Sequence, residues 1–298
     1  MDILQFSDII LFSLAFIVLL IATVTDIKKR EVPNWISFSF LGVALFIKIL
    51  AFLFSGDYSI LINTGIYFAI FLIIGNLLYY GQVFGGGDVK LLYGLSIAFS
   101  SNPFFYSSST TNFNEPFILA FLVNSFIIGA IYGILFSIFI ITKNKQNLKK
   151  FKEKIKQGLK KQEIGFKSLS WVCIIVSLLF LIISFVDSIF FLFFIFILII
   201  PFLFLAVKIV EKDFMMKLTS PRDLSEGDWL IEKIRVGHEI IKPSIHGLNL
   251  REINYLKKNY NGKIKIKEGL PFVPGLFLSL ILTALFGDLL FRFVYLLV

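Results

Sequence analysis

Two carboxylates, each at the edge of an apolar run, are the residues of this sequence best placed to do chemistry. Asp26 closes a run in Thr25-Asp26-Ile27-Lys28-Lys29-Arg30-Glu31-Val32-Pro33-Asn34, and Asp88 ends Gly85-Gly86-Gly87-Asp88 just before Val89-Lys90-Leu91-Leu92. An ionised group at the edge of a hydrophobic span is costly. A carboxylate at a helix C-terminus faces the negative end of the helix dipole, so capping does not explain Asp26, although Lys28, Lys29 and Arg30 could neutralise it. Asp88 could be an ordinary N-cap with glycines supplying the turn. Three consecutive glycines also admit the close approach of another backbone or a ligand. Their amides are tolerated at membrane depth only when buried in protein or wetted by a cavity. Two carboxylates held close together share a proton. The ionised one can take a proton from water while its protonated partner polarises a carbonyl, and the roles reverse for the leaving amine. That is acid–base hydrolysis of a peptide bond, with base and acid interchangeable at this level.

The elements that must hold these residues are membrane helices. The chain has 298 residues, 57% of them hydrophobic and only 16% charged, with a mean hydropathy of +0.85. A soluble globule of that composition could not present a water-compatible surface. Apolar runs long enough for a hydrocarbon core of about 30 Å predict spans near 9–25, 36–54, 59–80, 88–101, 117–142, 169–186, 188–210 and 271–291, the fourth of them short. The stretch 168–210 is too long for one tilted helix, and Asp187 near its middle predicts a turn between two spans. The 37 Phe residues fall mostly in these runs and read as lipid-facing bulk.

Lysine and arginine concentrate in cytoplasmic loops close to spans. Eight spans place Lys28, Lys29, Arg30, the ten lysines from Lys143 to Lys167, and the twelve Lys or Arg from Lys212 to Lys267 on one side. The opposite loops near 55–58 and 102–116 have none. The basic side is therefore expected in the cytoplasm, with both termini outside and both aspartates on the cytoplasmic edge. The first run is expected to be retained as a span, since no basic segment precedes it. The Lys-rich stretch reads as a topology signal resting near anionic headgroups, and it accounts for the net charge of +9 without nucleic-acid binding.

Sequence thus predicts an all-α polytopic membrane protein of about eight transmembrane helices, carrying a small cytoplasmic α+β module before the last. Its segments are an N-terminal membrane domain (1–142), a Lys-rich cytoplasmic loop (143–168), a membrane hairpin (169–210), the module (211–270) and the last helix (271–298). In the module, Ile264 and Ile266 alternate with Lys263, Lys265 and Lys267 as in a strand, and Leu250, Ile253 and Leu256 are spaced as in an amphipathic helix.

Other chemistries fit poorly. The single Cys173 lies in an apolar run and can make neither an internal disulfide nor a metal cluster, and His238 and His246 have no HExxH arrangement. No GxSxG segment marks a serine nucleophile. No metal and no cofactor are expected.

Three motifs resemble the type IV prepilin peptidase family of GxGD membrane aspartyl proteases, in particular its archaeal preflagellin and prepilin peptidase branch. They are Asp26 followed by basic residues and Pro33-Asn34, then Gly85, Gly87, Asp88 and Lys90 of a GxGD motif, and finally Gly269-Leu270-Pro271-Phe272-Val273-Pro274 before the last helix. Glu226-Gly227-Asp228 and Gly247-Leu248-Asn249 resemble the archaeal C-terminal module. The resemblance implies Asp26 and Asp88 as the catalytic pair and cleavage of short basic leader peptides from pilin-like or archaellin-like precursors at the cytoplasmic face of the plasma membrane. Membrane lipids are the other expected partner, and the oligomeric state is left open. The bacterial cysteine tetrad is missing, which argues against methyltransferase activity, and the Lys-rich loop with two further spans exceeds the smaller preflagellin peptidases. Pro271 and Pro274 could simply bend the approach to the last span, Lys90 is expected to snorkel to water, and Glu226 and Asp228 read as a solvated turn. An ion- or proton-coupled transporter would place acidic residues at mid-membrane, often within repeats not seen here. A presenilin-like protease shares GxGD but has a PAL turn in place of PFVP.

Overall fold

The computed structural model describes residues 3–81, 83–106, 116–161, 164–184, 194, 197–199, 205–206, 208–210, 214–237, 239–244, 247–267, 269–290 and 292. Two compact units emerge: Met1–Gly133 with Leu270–Val298, and Ile134–Gly269. The turn expected at Asp187, most of the span at 188–210, and His238 and His246 lie outside the described residues.

The first unit is built on small and apolar residues recurring at helical spacing. Helix α1 (Ile3–Lys29) contains neither glycine nor proline and buries Ser7, Leu11, Ala15, Leu19, Ala22 and Asp26. That stripe of three- and four-residue steps is one helix face, so the same periodicity that buries Leu19 turns Asp26 inward. Arg30 ends the helix in the left-handed region at φ 59°, its N–H donating to Asp26 O at 2.9 Å. Helix α2 (Asn34–Ser55) starts behind Pro33 and ends on Gly56 at φ 69°, a C-terminal reversal that a residue without Cβ adopts at no steric cost. Helix α3 (Ser59–Tyr80) follows and packs against α2.

Helix α4 (Gly86–Ala98) is buried on nearly every face, enclosed by α1, α2 and α3. An all-round apolar helix belongs in such a centre. Glycine makes the enclosure tight: a Cβ on Gly94 would strike the Phe40 ring, and one on Gly75 would come within 2.6 Å of Tyr93. Helix α5 (Phe117–Thr142) follows, and the last, here α9 (Val273–Phe286), packs along α1. The described residues of the segment 271–298, separate in the sequence reading, thus group with the N-terminal helices in one unit. Among the described residues, four helices (α1, α2, α3 and α5) are long and apolar enough to cross a membrane.

At about 1.5 Å per residue, α4 and α9 rise only about 20 Å, less than a hydrocarbon core, and each ends on buried polar groups. Beyond α4, Ser100 Oγ and Thr64 Oγ1 bond at 2.9 Å, and Lys48 Nζ donates to Ser101 Oγ at 2.7 Å. Beyond α9, Asn124 Nδ2 donates to Thr283 Oγ1 and Gly287 O, and its Oδ1 accepts from Leu289 N–H at 3.0 Å. These bonds satisfy chain ends that lipid could not.

Lys48 is 2% exposed and faces the charge of the half-buried Asp8. Replacing one partner of a buried pair strands the other, whereas an apolar substitute for the ammonium removes the desolvation problem. Asp8→Asn is therefore expected to destabilise the fold by about 2 kcal/mol or more, below the ~3–5 of a fully buried pair, and Lys48→Met by much less. Thermal unfolding in detergent measures both, and a larger loss for Lys48→Met than for Asp8→Asn would contradict this balance.

In the second unit the Lys-rich stretch is not a loop. It forms α6 (Lys145–Lys161), and α7 (Ile164–Ile183) begins inside the segment assigned to that loop. The correction has a physical cause: Lys is a good helix former, and Leu148, Phe151 and Ile155 recur at helical spacing among the charges. The α+β part comprises β1 (Met216–Thr219), β2 (Trp229–Leu230), β3 (Ile234–Val236), β4 (Glu239–Ile241), α8 (Leu250–Asn259) and β5 (Ile264–Lys267). Strand β5 lies between β1 and β2, antiparallel to both, with Met216 opposite Lys267 and Leu230 opposite Ile266; β3 and β4 form a separate hairpin. Ile264 and Ile266 point into a core with Leu224, Leu248, Ile253 and Leu256, as the alternation predicts. Asn249 and Glu252 cap α8 reciprocally at 2.9 and 3.0 Å. The Glu226-Gly227-Asp228 and Gly247-Leu248-Asn249 turns are bonded to each other, Gly227 N–H to Leu248 O and Leu248 N–H to Asp228 O, both at 2.9 Å.

Candidate active site

Three chain ends of the first unit converge: the last turn of α1, the first turn of α4 and the first turn of α9. Asp26 is 6% exposed and Asp88 9%, although both are ionisable residues near helix termini, where exposure costs nothing. Their charges act on each other, so the two carboxyl groups identified from sequence share one site.

Each carboxylate is held by backbone amides. Asp26 Oδ2 accepts from Val273 N–H at 3.0 Å, and the neighbouring Phe272 amide also acts on its charge. These amides belong to the start of α9, where the first N–H groups of a helix have no intrahelical acceptor and favour an anion. Proline lacks an N–H, and Pro274 stands in the first turn of α9, where that loss is harmless. The Pro271-Phe272-Val273-Pro274 segment therefore does more than bend the chain. Its first free amides hold Asp26, which α1 places at its own unfavourable end.

Asp88 is not the N-cap. Gly85 occupies that position and Asp88 the third residue of the helix, from which its Oδ2 accepts from Gly85 N–H at 2.9 Å. The glycines serve close approach: a Cβ on Gly87 would come within 3.0 Å of Val32 Cβ, and one on Gly85 within 3.3 Å of Asp88 Oδ2. Through Gly87 the start of α4 abuts the segment joining α1 to α2.

The remaining motif residues tie the first turn of α4 to the start of α2. Lys90 does not simply snorkel; its Nζ donates to Asn34 Oδ1 at 2.7 Å and lies 5.6 Å from the Phe38 ring centroid. Pro33 precedes that asparagine as the N-cap of α2. The bond to a charged donor at a wet edge predicts a coupling of about 1 kcal/mol in a Lys90→Met, Asn34→Leu double-mutant cycle of thermal stability. Additive losses would remove the tether.

Sequence reasoning missed three neighbours, Phe84, Gly129 and Tyr132. Phe84, immediately before the glycines, stacks on Phe272 with ring centroids 4.5 Å apart and on Phe126 at 5.8 Å, which ties the start of α4 to that of α9. Gly129 on α5 faces Phe272, whose ring a Cβ there would strike, and its Cα lies 3.3 Å from the position of a Cβ on Gly275. Tyr132, also on α5, is within electrostatic reach of both Asp26 and Arg30. Arg30 is the one residue of the basic run whose charge acts on Asp26, whereas Lys28 and Lys29 are exposed. An aromatic next to a glycine turn is a signal for Phe84; nothing local in the sequence marks Gly129 or Tyr132.

Residues 13–134 match the model of the Type IV leader peptidase family, Peptidase_A24. A preflagellin peptidase from Methanococcus voltae is 30% identical over 139 residues, covering 46% of this chain and 59% of the relative. A second, from Methanococcus maripaludis, is 32% identical over 131 residues, covering 42% and 55%. The prepilin peptidase EppA of Methanothermobacter thermautotrophicus is 29% identical over 143 residues, covering 46% and 37%. The chain spans little more than half the length of the preflagellin peptidases it matches. The matched stretch contains both aspartates, the Pro33-Asn34 step and the glycine turn, and over that stretch this chain is similar to the type IV leader peptidase family.

Proposed function

We propose that the protein is a membrane-embedded aspartyl endopeptidase that removes short basic leader peptides from pilin-like or archaellin-like precursors. The observation that carries this reading is the burial of Asp26 and Asp88 in one site, each steadied by backbone amides and close enough for their charges to interact. Such a pair can hold one proton between two carboxyls. The ionised aspartate removes a proton from water, the protonated one hydrogen-bonds to the scissile carbonyl oxygen, and a tetrahedral intermediate forms. Proton return to the leaving nitrogen then breaks the C–N bond and restores the pair. Amides already bonded to Asp26 and Asp88 need not reorganise during these steps.

The substrate side follows from the setting. A precursor whose apolar helix lies beside the enzyme's spans presents its polar leader at the membrane edge, where both aspartates are expected. On the proposed topology of eight spans with outward termini that edge is cytoplasmic, because the basic loops share it. Cysteine introduced as Ile155→Cys in a Cys173→Ala background is then labelled by an impermeant reagent only from the cytoplasmic side, and labelling from outside would invert the arrangement.

Co-expression with precursors carrying basic leaders tests the activity. The expected result is a size shift of the precursor with a new N-terminus after the leader. An unprocessed precursor, with the protein present and folded in the membrane, would overturn the assignment.

A further inference from the structure

Helix α6 lies beyond the stretch that matches the family, and neither the carboxyl pair nor its supports use it. Its 17 residues contain eight lysines and a single acidic residue, Glu153. The charges are not spread evenly. Leu148, Phe151 and Ile155 fall on one face, while Lys145, Lys149, Lys152 and Lys156 lie off it and are exposed. A basic helix with one apolar stripe fits the boundary between headgroups and acyl chains, where the stripe enters the apolar layer and the ammonium groups meet anionic phosphates.

The chain leaves α6 little choice of location. Only Lys143 and Asn144 separate it from Thr142, the end of a helix long and apolar enough to cross a membrane. The joint is fixed: Asn147 Nδ2 donates to Ile140 O at 3.2 Å, Gln146 N–H to Asn144 Oδ1 at 3.2 Å, and Leu148 N–H to Asn144 O at 3.1 Å. Two residues separate its other end from α7, whose Ser170–Ile183 portion is again apolar. A helix tethered this closely at both ends to membrane-type helices remains within a few residues' reach of the bilayer surface. Phe214 extends the apolar face and does not seal it: its ring lies 6.3 Å from that of Phe151 and 5.2 Å from Lys150 Nζ, while Leu148 stays 37% exposed.

We propose that α6 is an interfacial helix that binds the anionic headgroups of the adjoining leaflet, with Leu148, Phe151 and Ile155 inserted and the lysines on the phosphates. A soluble polyanion would satisfy the lysines and leave the stripe in water, so a lipid surface is the occupant that meets both halves. The apolar stripe holds the helix at the surface, and its charge selects anionic lipid, beyond the topology signal that any Lys-rich loop provides.

The test uses the full chain with Cys173→Ala, carrying a spin label at Leu148→Cys or Lys152→Cys, in vesicles of phosphatidylcholine with or without phosphatidylglycerol. With phosphatidylglycerol, the Leu148 label should collide with oxygen and be shielded from a water-soluble nickel complex, and the Lys152 label should show the reverse. The contrast should shrink severalfold in phosphatidylcholine alone, in high salt, or on replacing Lys145, Lys149 and Lys156 by Gln. Water accessibility at both positions in the anionic vesicles would overturn the proposal. So would shielding of Leu148 from both reagents, which means protein packing, or an equal contrast in both lipids, which means insertion without anionic selection.

Discussion

Asp26→Asn and Asp88→Asn are each expected to lower cleavage of a leader-bearing precursor by about 10⁴-fold, the upper range for loss of a positioned acid–base group, while the protein stays folded in the membrane. Asparagine keeps the size and an oxygen acceptor, so the Val273 N–H to Asp26 bond and the Gly85 N–H to Asp88 bond survive in outline. What disappears is the exchangeable proton. The double variant should be hardly worse than either single one, because residues that act as a unit are strongly non-additive. Kinetics on purified, reconstituted protein decide the matter, and full activity in either single variant would remove that residue from the mechanism. Losses that multiply in the double variant would mean two independent contributions in place of one pair.

The second large effect is expected at Gly129, which touches neither aspartate. A Cβ there meets the Phe272 ring, and the ring cannot move freely because Phe84 stacks on it. Val273, the next residue, supplies the amide that holds Asp26. Gly129→Leu should therefore shift the first turn of α9 and with it Asp26, and a displacement near 1 Å costs about 100-fold in rate. Phe272→Leu in the same protein makes room and should restore a substantial part of the activity. Failure of rescue, in a protein whose thermal stability has recovered, would sever the proposed link between the α5–α9 contact and the carboxylate. Rescue with kcat restored and KM little changed would identify it as positioning.

Legibility in the sequence followed the range of the interactions involved. Asp26 could be placed at the end of a span because the apolar run before it and the basic residues after it are local; the periodic steps Leu11, Ala15, Leu19, Ala22, Asp26 that turn it inward emerged with the structure. The strand at Ile264 and Ile266 and the helix through Leu250, Ile253 and Leu256 were legible for the same reason. The helical state of 145–161 was concealed by its lysines, although the spacing of Leu148, Phe151 and Ile155 was available. Lys48 gave no signal, since a single lysine in the run 36–54 reads as noise until Ser101 and Asp8 are placed beside it.

The site's supports were the least legible part. The amide that holds Asp26 lies 247 residues further along the chain, and a backbone donor leaves no trace in residue type. Pro274 carried the only hint, as a helix-start residue. The Lys90 bond to Asn34 spans 56 positions; each residue was noticed in its own motif, but nothing in sequence pairs them. Gly129 resembles any small residue in an apolar helix until Phe272 is set against it.

The central claim is that water, activated by the carboxyl pair, attacks the scissile bond directly. The most direct measurement is cleavage of a leader-bearing precursor by the purified protein in ¹⁸O-water containing hydroxylamine, with mass analysis of the released leader. The account predicts ¹⁸O in the new leader carboxylate, no hydroxamate, and no such product from Asp26→Asn or Asp88→Asn. A leader hydroxamate, the mark of a covalent acyl-enzyme, would contradict it.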